Sequence, residues 1–101
     1  MHLQRLIDIL EKENPDRVIP LGFNHPHSYR GYYDCLAFEF EKNVRIGDML
    51  RSAKSALNKI YVGYKGGEYK MTEFTDCYLA EYGCCGEELG PTLLAYMLHG
   101  A

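Results

Sequence analysis

The stretch His25-Pro26-His27-Ser28-Tyr29-Arg30-Gly31-Tyr32-Tyr33 holds two imidazoles, a hydroxyl, a guanidinium and three phenols around one proline and one glycine. A segment that only joins two elements is normally built from Ser, Gly, Asn and Asp. Tyr and Arg together stack on planar ligands and fork onto phosphate or carboxylate. Farther along, Gly63-Tyr64-Lys65-Gly66-Gly67-Glu68-Tyr69 repeats the recipe with a lysine and more glycine. The two stretches read as the walls of one anion-binding site. His25, His27, Ser28, Tyr29, Arg30, Tyr32, Tyr64, Lys65, Gly66 and Gly67 are its candidate ligand contacts. Glycine lets backbone approach a ligand closely, and the N–H groups flanking Lys65 could form a small anion-binding concavity. Arg30→Ala and Tyr29→Ala are then expected to lose ligand while leaving the melting temperature nearly unchanged.

Other chemistries fit less well. The Gly-x-x-x-x-Gly-Lys-Ser/Thr and Gly-x-Gly-x-x-Gly spacings are absent, so neither a P-loop nor a dinucleotide fingerprint is present. Gly90-Pro91-Thr92 opens a helix and offers a second anion position, although Pro91 removes one donor. His25-x-His27 with adjacent Cys84 and Cys85 lacks the paired spacing of structural zinc sites, and no metal or other cofactor is expected. His25 or His27 could act as a general base with Glu68, Glu73 or Glu81, and a Cys85–His nucleophile pair is conceivable, but no spacing belongs to a catalytic motif. Binding rather than turnover is the expectation.

The elements that must position these residues follow from periodicity. Leu3, Leu6, Ile7 and Leu10 form the apolar stripe of a helix over 2–13, stopped at Asn14-Pro15. Residues 16–31 contain Pro20, Gly22, Pro26 and Gly31 and read as a long ordered loop. Leu36, Phe38 and Phe40 alternate with Ala37 and Glu39, which predicts a strand over 32–40, followed by a turn at 41–45. Ile46, Met49, Leu50, Ala53 and Leu57 predict a helix over 46–58, with Asp48 and Lys54 suited to its dipole and Asn58 a left-handed terminator. A strand over 60–62 enters the glycine-rich turn and 69–71 returns as its partner. Residues 75–82 form another strand candidate before a turn at 83–86, and Pro91 starts a last helix over 91–99. The order α-β-α-β-β-β-α predicts one α+β domain over 1–101 with a small, mainly antiparallel sheet.

Composition narrows the partners. Net charge is −3, so the footprint for duplex nucleic acid is missing. No run approaches the roughly eighteen apolar residues of a membrane span, and no signal peptide opens the chain. A cytoplasmic protein with reduced thiols at Cys35, Cys77, Cys84 and Cys85 is expected. Nine tyrosines against four phenylalanines and no tryptophan suit a half-wet site or a subunit interface, which points to a homo-oligomer.

The runs Pro26-His27-Ser28-Tyr29-Arg30-Gly31-Tyr32-Tyr33, Ile46-Gly47-Asp48-Met49-Leu50, Gly63-Tyr64-Lys65-Gly66-Gly67 and Leu79-Ala80-x-Tyr82-Gly83-Cys84-Cys85-Gly86 resemble a group of small proteins encoded by bacteriophages and prophages. The likeness spans about residues 20–100. Small phage proteins of this size include anti-defence sponges, which sequester nucleotide signals of host immunity such as those of the Thoeris and cyclic-oligonucleotide systems. The resemblance implies a cytoplasmic, homo-oligomeric protein that binds a small phosphorylated nucleotide-type ligand without cleaving it. A direct inhibitor of a host defence protein and a small nucleotide-cleaving enzyme are the alternatives.

Overall fold

The computed structural model describes residues 1–63, 65–80 and 86–100. The chain runs α1 (Leu3–Glu11), β1 (Val18–Ser28), β2 (Leu36–Arg45), α2 (Ile46–Ala56), β3 (Ile60–Val62), β4 (Glu68–Lys70), β5 (Cys77–Leu79), β6 (Glu87–Glu88) and α3 (Pro91–His99). A four-stranded sheet in the order β1-β2-β5-β6 is antiparallel except where β2 lies parallel to β5, and β3 and β4 form a separate antiparallel pair. The fold is α+β, as the patterning predicts.

The three helices lie where their stripes place them. Leu3, Leu6, Ile7 and Leu10 of α1, Ile46, Met49, Ala53 and Ala56 of α2, and Leu94, Met97 and Leu98 of α3 are buried. Asn58 takes the left-handed conformation expected of it (φ 65°). These faces close over Phe23 and Phe38, whose ring centroids are 4.4 Å apart and which are both fully buried. Burial of each ring contributes about 2–3 kcal/mol. The backbone also ties α1 to the sheet, because Leu3 N–H donates to the Thr75 carbonyl at 2.8 Å.

Four expectations are corrected. The loop expected over 16–31 is mostly the eleven-residue strand β1, and the turn expected over 41–45 is a continuation of β2. Proline is tolerated in β1 because β1 is an edge strand, and Pro26 sits in a bulge where the register shifts between Asn24 and His27. Gly22 belongs there for a packing reason: a Cβ would lie 2.0 Å from Val44 Cγ1. The turn signal in 41–45 does mark a local feature, since Asn43 is left-handed (φ 54°) within an otherwise continuous strand. The strand expected to begin at residue 32 begins at Leu36, and 29–35 is the loop of the β1–β2 hairpin. The short strand β6 adds to the expected order; of the strand candidate over 75–82, Cys77–Leu79 is strand, and residues 81 and 82 lie outside the described residues.

Candidate functional site

The first predicted wall is the end of the β1–β2 hairpin. His25, opposite Phe38 in the bulge, is exposed and left-handed (φ 54°), and its N–H donates to Asn24 Oδ1 at 2.9 Å. The same Asn24 oxygen accepts from the Ser52 hydroxyl of α2, so the bulge is held against that helix. His27 Nδ1 lies 3.0 Å from the Ser28 carbonyl. A carbonyl only accepts, so Nδ1 is the donor in this contact.

Past β1 the chain closes on itself. The buried Ser28 hydroxyl donates to the Tyr33 carbonyl at 2.5 Å. Tyr29 N–H donates to the Cys35 carbonyl and Cys35 N–H to the Tyr32 carbonyl, both at 2.9 Å. The Tyr29 ring is only 4% exposed and stacks on Tyr78 of β5 at 4.4 Å and 18°. Its hydroxyl accepts from Gly86 N–H at 3.0 Å. Gly31 is required beside it, because a Cβ there would come 2.7 Å from Tyr29 Cε2. Tyr29 is therefore packed into the fold through Tyr78, so a stability cost on its removal is now the expected outcome. Arg30 and Tyr32 project outward, Tyr32 at 65% exposure.

The second wall is the β3–β4 turn. Gly63 N–H donates to the Gly67 carbonyl at 3.0 Å and Gly66 N–H to the Gly63 carbonyl at 2.9 Å. Gly66 (φ 91°) and Gly67 (φ 84°) take conformations that favour glycine. Two of the amides expected to face an anion are thus committed inside the turn, while Lys65 is exposed. Tyr64 lies outside the described residues, as do Glu81, Cys84 and Cys85.

The two walls meet. Tyr33 lies against Tyr69 of β4, with centroids 5.6 Å apart and rings tilted by 50°. Gly63 makes room for the pair, since a Cβ there would be 2.8 Å from Tyr69 Cε2 and 3.3 Å from Tyr33 Cγ. Tyr33 and Tyr69 are absent from the predicted contacts although they bring the walls together. Their signal was the glycine itself, buried at a turn between two aromatic stretches.

The described thiols, Cys35 and Cys77, have raised pKa values. Burial, with Asp34 next, pushes Cys35 up to about 11, and burial pushes Cys77 up to about 12. Both are therefore protonated at neutral pH and poor nucleophiles. Among the described residues, histidines pair with carboxylates at His2–Asp76 (3.6 Å) and His99–Glu13 (3.5 Å), and His25 and His27 have no such partner. No cluster of three His, Cys, Asp or Glu that could hold a metal ion occurs among the described residues. No helix there is long and apolar enough to cross a membrane.

No family model, curated protein or solved structure matches the chain.

Proposed function

We propose that this chain is a homo-oligomeric binding protein of the anti-defence type, which holds a small phosphorylated nucleotide-type molecule without cleaving it. The observation that carries this reading is the Tyr33–Tyr69 contact. It joins two loops from separate sheets, one carrying Arg30 and Tyr32 and the other Lys65. An exposed phenol and two cations carried on loops that meet suit a base and its phosphate: stacking is worth about 1–3 kcal/mol per base, and charge-assisted bonds add to it. Gly66 and Gly67 of the turn permit close backbone approach at the same place.

Binding without turnover is supported by the state of the reactive groups. Cys35 and Cys77 hold their protons, and one nitrogen of His27 is spent on backbone. A domain of this size encloses a nucleotide best at a symmetric subunit boundary, and the tyrosine surplus suits one.

The test is incubation with a panel of immune nucleotides, including cyclic oligonucleotides and ADP-ribose derivatives, followed by filtration and heat release. One nucleotide should vanish from the filtrate and return chemically intact, and Arg30→Ala or Tyr32→Ala should weaken its retention about tenfold or more. A nucleotide returned altered would make the protein an enzyme. A panel that passes through untouched would sink the reading.

A further inference from the structure

The β3–β4 hairpin has two unlike faces. Tyr61 and Tyr69, directly paired across the strands, turn inward and pack on the core. The opposite face carries the rungs Ile60↔Lys70 and Val62↔Glu68. Directly paired residues share a face, so these four side chains form one quadrilateral, with β3 contributing only apolar groups and β4 only charges. A solvated hairpin face would normally be polar throughout. Here Val62 is 71% exposed, more than any other large hydrophobic residue described, and Ile60 is 54% exposed. Phe74, 68% exposed, lines with Lys70 a neighbouring surface hollow of about 290 Å³. Neither Glu68 nor Lys70 has an ion-pair partner among the described residues.

We infer that this face is a two-fold dimerisation surface whose partner is a second copy of the same chain. The pattern of charge selects that occupant. Consider a two-fold axis lying in the contact plane and crossing the strands midway between the two rungs. It sets Glu68 over Lys70 of the second copy and Lys70 over its Glu68, while Ile60 and Val62 exchange places in the same way. Every charge meets its opposite and every apolar group meets an apolar group. That is the self-complementarity an isologous contact requires, in which residue i touches j and j touches i. The arrangement also covers the outer face of a two-stranded sheet, which is marginal when left alone in water. The inference does not depend on what the loops bind.

The experiment is sedimentation of the full chain over a concentration series, with no nucleotide present. Wild type should approach twice the chain mass of 11.6 kDa as concentration rises. Glu68→Lys and Lys70→Glu should each weaken the dimer about tenfold or more, because symmetry makes each reversal create two like-charge contacts. The double variant restores opposite charges across the axis and should recover the wild-type constant within about threefold. Melting temperature checks each fold, and if one single variant unfolds, the other reversal on the same pair decides. A wild type that stays monomeric throughout, single variants that dimerise as wild type does, or a double variant that fails to recover would each overturn the assignment.

Discussion

The two hairpins that meet at Tyr33 and Tyr69 hold their tips by different means. The β1–β2 hairpin spends its side chains inward: Ser28 bonds the Tyr33 carbonyl, and Tyr29 stacks on Tyr78 and accepts from Gly86. Among the described residues, the β3–β4 hairpin closes its tip through the Gly63 and Gly66 amides and two left-handed glycines, and Lys65 is exposed there. One loop is pinned by buried aromatic and hydroxyl groups, whereas the other is closed by its own backbone, with Lys65 exposed. Chemistry-bearing residue types therefore mean different things at the two sites. Tyr29 in the first loop belongs to the core, and Lys65 in the second belongs to the surface.

The sharpest way to break that comparison is Tyr29→Ala. Truncating a buried aromatic costs about 3–5 kcal/mol, and each kcal/mol shifts the melting temperature by about 4–8 °C in a domain of this size. Thermal denaturation should show a fall of more than about 10 °C. A shift of only a few degrees would mean that the Tyr78 stack contributes little and that Tyr29 is available to a ligand after all.

The same contrast explains what could be read from the sequence. The helices were legible because an apolar stripe such as Leu3, Leu6, Ile7 and Leu10 reports helix and buried face together. β1 was hidden because Pro20, Gly22 and Pro26 are local breakers, and only a tertiary fact, that β1 lies at the sheet edge with a bulge, makes them acceptable. The alternation of Ile19, Leu21 and Phe23 was present but outweighed. The parallel contact of β2 with β5 joins Leu36 to Cys77 across α2 and the second hairpin, and no local pattern reports such a pairing. At the candidate site, residue types identified both loops. They could not separate Tyr29 from Tyr32, because which phenol turns inward depends on the Tyr29–Cys35 bond continuing the ladder past Ser28.

Gly63→Ala tests the junction between the hairpins and should have an intermediate effect. The added methyl would meet Tyr69 Cε2 at 2.8 Å and Tyr33 Cγ at 3.3 Å in a buried position. Overpacking of this kind costs about 1–3 kcal/mol. Chemical denaturation should show the loss, and Tyr33→Ala in the same background should recover part of it by vacating the space. If Gly63→Ala is neutral and Tyr33→Ala changes nothing, the two tips are not packed on one another and the shared site dissolves into two separate loops.

The smallest expected effect is that of Lys65→Ala. Lys65 is exposed, and the turn around it is closed by Gly63, Gly66 and Gly67 through backbone hydrogen bonds that the substitution leaves in place. Surface changes away from caps and networks stay within about 0.5 kcal/mol, so the melting temperature should move by no more than about 4 °C. Retention of a phosphorylated nucleotide should nonetheless fall, because a lysine with no structural duty keeps its charge for what lies outside the fold. A clear loss of stability would show that Lys65 packs on its own turn, and the division between a side-chain-pinned loop and a backbone-closed one would fail at its most exposed residue.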